Sequence, residues 1–163
     1  MPKRHTFDDF LKEHVGPITL YARATCGIQH LVDDVVQETF IRAWRYYPTL
    51  RAESSSRSWI ISICRNTILD LSKKWPNYAD SELLEQPDPH DAFRQNDLLN
   101  LMQYLNHEHR EVLVLCGLLG YDYETTAEII HVPIGTVRSR LARAREAMST
   151  LLTDIQSASE TGA

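Results

Sequence analysis

The residues best equipped for chemistry lie between Thr136 and Arg145. Arg138, Arg140, Arg143 and Arg145 fall in a stretch that holds no acid, with Ser139 and Ala142 between them. A guanidinium pairs with phosphate and can grip a guanine edge through two parallel hydrogen bonds. Counting about 100° per residue, Val137, Leu141, Ala144 and Met148 gather within about 60° of one another. That stripe is expected to be buried. Ser139, Ala142, Arg143 and Glu146 lie opposite it, with Arg138 and Arg145 on one flank and Arg140 on the other. A surface of small residues fenced by Arg suits a helix that enters a DNA groove. The competing reading of the Arg run alone is a solvated amphipathic helix.

The elements that must position these residues precede them. A short helix is expected from about Glu124 to Ile130, with a corner at His131 and Val132. A second helix opens at Pro133-Ile134-Gly135-Thr136 and runs to about Leu152. Pro is tolerated at a helix start because its missing N–H would have no partner there. Short helix, tight turn and longer helix form the helix-turn-helix plan, which favours DNA binding over the solvated helix.

The chain of 163 residues carries a formal net charge of −5. That is unusual for a protein that binds duplex DNA alone, because phosphate neutralisation supplies much of the affinity. The charge is segregated, however, and a basic recognition helix on an acidic chain points to a partner that supplies the remaining affinity. No apolar run approaches the ~20 residues needed to cross a bilayer. The N-terminus has basic residues but no apolar core after them, so it does not read as a secretory signal. Cys26, Cys64 and Cys116 are far apart and read as free thiols of a reducing cytosol. Glycine-rich phosphate loops, nucleophile motifs and paired catalytic carboxylates are not found, so no catalytic residues, metal or cofactor are expected.

Upstream, Thr6-Phe7-Asp8-Asp9 reads as a helix cap with acids in the first turn. The helix runs to about Thr25, and Gly16-Pro17 is expected to kink or break it. A second helix follows in HLVDDVVQETFIRAWRYYP, with Val36, Phe40, Ala43, Trp44 and Tyr47 as its apolar stripe. Asp33, Asp34 and Glu38 are either acids favoured near a helix N-terminus or part of a docking face for a basic partner. A polar stretch, residues 49–58, leads into a third helix lined by Trp59, Ile60, Ile63, Cys64, Thr67, Ile68 and Leu71. Its serines read either as an N-cap cluster or, with the Arg, Asn and Lys that follow, as a holder of single-stranded nucleic acid.

Residues 76–92 contain three Pro and five acids without a Lys or Arg, and read as a flexible acidic linker. Asp88, His90 and Asp91 there read as a solvated turn rather than a metal site. A second domain begins near Phe93, with helices around Leu98–Leu105 and Glu108–Leu119 and a cap at Gly120. The expected organisation is thus all-α: domain 1–75, linker 76–92, domain 93–155, and a disordered tail over 156–163.

Four segments in order carry a resemblance: Asp33-Asp34-Val35-Val36-Gln37-Glu38-Thr39-Phe40, Arg57-Ser58-Trp59-Ile60 running into Ile63-Cys64-Arg65-Asn66-Thr67, His109-Arg110-Glu111-Val112-Leu113, and Pro133 through Leu141. With their spacing they resemble the extracytoplasmic-function (ECF) sigma factors, promoter-specificity subunits of bacterial RNA polymerase. The resemblance implies that Asp34, Gln37, Glu38 and Arg42 dock on the core polymerase. It implies that the loop with Arg51, Ser54, Ser55, Ser56 and Arg57 holds a flipped base of the melted −10 element. Arg65, Asn66, Asp70, Lys73 and Lys74 would face that strand. Arg138, Ser139 and Arg143 would lie nearest the −35 bases, and Thr136, Arg140 and Arg145 nearer phosphates. Promoter DNA, core polymerase and an anti-sigma factor are the implied partners, in the cytoplasm and without membrane insertion. Three departures stand out: Ser62 where such helices usually carry Arg, Thr126 in place of an apolar residue, and His131 where Gly is common. Against this stand a free-standing helix-turn-helix regulator, which the acidic chain disfavours, and a protein-binding adaptor, which the intact Arg fence disfavours.

Overall fold

A computed structural model describes residues 6–26, 29–50, 55–74 and 88–162. The chain divides into two compact units, residues 1–79 and 80–163. Helices are the only regular elements among the described residues.

The first unit is built from α1 (Phe7–Thr25), α2 (Val32–Tyr46) and α3 (Ser56–Lys74), with a 3₁₀ turn at Gln29–Leu31 leading into α2. Thr6 and Asp9 close a capping box on α1: Thr6 Oγ1 accepts from Asp9 N at 3.2 Å and Asp9 Oδ2 from Thr6 N at 3.1 Å. Pro17 does not break α1, which is continuous through it. Pro17 and Glu13, whose carbonyl loses its helical donor there, are both exposed, so water can satisfy that carbonyl. The three helices meet over Phe10, Ile18, Tyr21, Val35, Phe40, Ile60, Ile61 and Cys64, all buried. Each large apolar side chain so buried contributes about 1.5–3 kcal/mol.

The α2 stripe is rotated from the expected one. Val32, Val35, Thr39, Phe40 and Ala43 are buried, whereas Trp44 is 64% exposed. Thr39 enters the core because its hydroxyl donates to Val35 O at 2.7 Å. Trp44 instead meets the Phe7 ring edge-on at 5.0 Å between centroids.

The second unit comprises α4 (Pro89–Arg94), α5 (Leu98–Met102), α6 (His107–Val112), α7 (Tyr123–Ile130) and α8 (Ile134–Thr161). Each of α4 to α7 is capped by an Asp or Asn side chain: Asp88, Asp97, Asn106 and Asp122. Helix α4 corrects the linker expectation, since residues 88–92 are a cap and a helical turn with Pro89 in the first position. The rest of that stretch, 76–87, lies outside the described residues. After α6 the chain widens into a π-helical turn over Leu113–Leu118, in which Leu119 N bonds five residues back to Val114 O at 2.9 Å. The sequence pattern had suggested a uniform α-helix there. The tail expectation is also corrected. Helix α8 continues to Thr161, held by the buried Ile155 and by Ser157, Ser159 and Thr161 hydroxyls bonded to the carbonyls four residues back.

Candidate functional site

Helix α8 presents the Arg residues because its other face is anchored. Val137, Leu141, Ala144 and Met148 are buried, and Arg138, Ser139, Ala142, Arg143, Arg145 and Glu146 are exposed. Its N-terminus is set by Pro133, whose carbonyl accepts from Thr136 N at 2.9 Å. The exposed first turn of a helix carries unpaired N–H groups and a positive end, which favour an anion. Ser139 Oγ donates to Thr136 O at 3.1 Å, and the Arg138 guanidinium carbon lies 5.9 Å from the centre of the Tyr123 ring, a cation–π distance. Arg140 differs from its neighbours, since Nη2 is 3.1 Å from Glu108 Oε1 on α6.

The turn that aims α8 accommodates two of the sequence departures. His131 closes α7 in the left-handed conformation, φ 58° and ψ 47°, the position that Gly most often fills at a helix C-terminus. Thr126 is fully buried with its hydroxyl 3.4 Å from Cys116 Sγ, so the polar group finds a partner in an otherwise apolar interface. At the start of α7, Asp122 Oδ1 accepts from Thr125 N at 2.7 Å, and the hydrogen bonds from Thr125 hold its carboxyl below the usual range.

In the first unit, Ser55 immediately precedes α3, and its Oγ accepts from Ser58 N at 3.5 Å. Ser55, Arg57, Asn66, Asp70, Lys73 and Lys74 are exposed, and Ser56 and Arg65 half-buried. Arg51 and Ser54 lie outside the described residues. Ser62, the third departure, turns its hydroxyl to Ser58 O at 2.9 Å. Beneath α3's start, His14 is 2% exposed with its ring 4.5 Å from that of Phe10. Burial lowers its pKa, Glu13 partly offsets this, and Arg57 lowers it further.

Across α2 and α3 runs a cleft walled by Gln37, Glu38, Ile41 and Arg42 from one helix and Leu71 and Lys74 from the other. Asp34 and Gln37 are exposed, and Glu38 is half-buried. Ile41, which the sequence reading left unassigned, and Trp44, which it placed in the apolar stripe, are 54% and 64% exposed on α2. The signal was available: they continue the Asp34–Gln37 line at helical spacing. Arg42 donates from Nε to Glu38 Oε1 at 2.9 Å and from Nη1 to Asp70 Oδ2 at 2.7 Å. Residues assigned separately to polymerase and to DNA are therefore brought together.

Residues 10–75 match the Sigma-70 region 2 family model, and residues 95–148 match Sigma-70 region 4. The ECF sigma factor SigC of Mycobacterium tuberculosis is 35% identical over 124 residues, which cover 71% of this chain and 67% of SigC. The ECF sigma-E factor of Salmonella typhimurium is 32% identical over 136 residues, covering 72% and 71%. The chain belongs to the ECF sigma factors. Among solved structures, the sigma factor RpoE in complex with the anti-sigma factor NepR from Bartonella quintana is similar at a TM-score of 0.76 and 25% identity, covering 92% of this chain and 98% of RpoE. CnrH, in complex with the cytosolic domain of CnrY, gives 0.70 and 25%, covering 91% and 88%. In this ECF sigma factor the region 2 match takes in α1 to α3, and the region 4 match takes in α5 to α7 and the first half of α8. No described helix is long and apolar enough to cross a membrane.

Proposed function

We propose that this ECF sigma factor binds core bacterial RNA polymerase through α2, reads the −35 element with α8 and holds the melted −10 strand at α3 and the loop before it. The observation that carries this reading is the division of α8 into a buried apolar stripe and a face on which Arg138, Arg143 and Arg145 are exposed, in a stretch from Arg138 to Arg145 without an acid, on a chain of net charge −5. Such a helix suits the major groove, while the acidic chain as a whole needs a partner's affinity to stay on DNA. Arg138, Ser139 and Arg143 then face bases, and Thr136 and Arg145 face phosphates. Arg57, Arg65, Asn66, Lys73 and Lys74, with Arg51 and the serines 54–56, take the −10 strand, whose bases must leave the stack to be read. Asp34, Gln37 and Glu38 meet basic groups of the polymerase, and Ile41 and Trp44 extend that face with apolar area. An anti-sigma partner is part of this reading, supported by the relative that was solved with one.

Two substitutions test the division of labour. Arg143→Ala should lower −35-dependent open-complex formation about tenfold while leaving core affinity unchanged. Glu38→Lys should do the reverse. A parallel fall of both properties in either variant would overturn the face assignments.

A further inference from the structure

We infer that Arg42 and Asp70 act as a positioning pair that sets the docking face of α2 against α3, and not as a polymerase contact and a DNA contact. The inference rests on the docking reading above. Asp70 is separated from Arg42 by 28 residues and is its partner on the neighbouring helix, at 2.7 Å. A carboxylate aimed at a nucleic-acid strand is repelled by phosphate unless it accepts from a base amine. Here that charge is engaged by an Arg of the same unit.

The chemistry of Arg explains why one residue can do this. A guanidinium holds its N–H groups in a rigid planar fork, so two acceptors bonded to it are fixed relative to each other. Nε takes Glu38 and Nη1 takes Asp70. The Glu38 carboxylate, on the cleft that α2 and α3 share, is thereby tied to α3. Arg42 is the most enclosed of the three, its side chain 26% exposed against 39% for Glu38 and 49% for Asp70. The two hydrogen bonds that Arg42 donates, to Asp70 first and to Glu38 second, raise its pKa. A lysine has the charge but no fork, so it cannot hold both carboxylates in one geometry.

The test is a double-mutant cycle on the full chain. Core-polymerase affinity is measured for Arg42→Met, Asp70→Asn and the double variant, with Arg42→Lys and Glu38→Lys alongside. Each holoenzyme is also scored for −10 base preference on forked promoter DNA at saturating protein. The pair predicts that each single change weakens core binding about fivefold and the double change no further, because the two act through one bond. Arg42→Lys should resemble Arg42→Met, and −10 base preference should stay as in the parent. Losses that add, or an Asp70→Asn variant with parental core affinity and altered −10 preference, would overturn the inference. If Glu38→Lys weakens core binding and the pair variants do not, this inference fails and the docking reading stands. If Glu38→Lys is also without effect, the docking reading fails as well. Thermal melts by circular dichroism guard the comparison, and Asp70→Ser replaces Asp70→Asn should the latter melt early.

Discussion

Arg140 on α8 is bonded to Glu108 on α6, Nη2 to Oε1 at 3.1 Å, across 32 residues of sequence. Glu108 is 61% exposed and Arg140 only 22%, so the bond turns one member of the Arg fence back towards its own unit. An exposed pair of this kind contributes about 0.2–1 kcal/mol to stability. Its larger effect is on where charge is presented.

Glu108→Gln removes the acid bonded to Arg140 and, if α8 lies on DNA as proposed, frees that guanidinium for phosphate. Holoenzyme carrying this variant should bind a −35 promoter more tightly at low salt, with a salt dependence steeper by about one counterion. A salt titration of promoter binding checks this. An unchanged slope would mean that Arg140 remains tied in the complex.

His131 holds a left-handed backbone conformation without the freedom of Gly. His131→Gly should stabilise the second unit by roughly 0.5–1 kcal/mol, since it removes a Cβ from a position that disfavours one. Chemical denaturation of the two proteins measures the difference. A loss of stability would show that the His side chain makes contacts outweighing the strain.

His14 supplies a pH dependence with a definite sign. Its folded pKa lies below the ordinary 6.5 because burial disfavours the charged ring. Above about pH 6.5 the ring is neutral in both states and contributes no slope. As pH falls through 6.5 towards the folded value, the unfolded chain takes up the proton first, and stability is lost at up to about 1.4 kcal/mol per pH unit. Below the folded value the loss levels off. Urea midpoints at pH 7.5 and 5.5 should therefore differ more in the parent than in His14→Leu. Equal differences would remove His14 from the account.

How much of this was legible in the sequence depends on the kind of signal. The buried stripe of α8 was readable because Val137, Leu141, Ala144 and Met148 keep a helical period against polar neighbours. The α2 stripe misled, because hydropathy ranks Trp44 above Thr39. A threonine that bonds its own helix is effectively apolar, and a Trp at a helix edge can pack one face and expose the other. The end of α8 looked like a tail for the same reason: its Ser and Thr hydroxyls are spent on the backbone, and Ile155 is the one strong apolar signal in a polar run. The prolines misled: Pro89 was read as linker although it occupies the first position of a helix, and Pro17 as a kink or break although α1 continues through it on an exposed face. Pairings across long sequence distances, Arg42 with Asp70 and Arg140 with Glu108, carry no local pattern. They appear only once the helices are packed.

Transcription in vitro is the decisive measurement of promoter-specificity function. Purified protein is added to core bacterial RNA polymerase on a pool of genomic promoter fragments. A sigma factor should give new transcripts that require both components, that share an upstream element, and that fall about tenfold with Arg143→Ala. No transcripts, together with tight and specific duplex binding by the protein alone, would contradict that function.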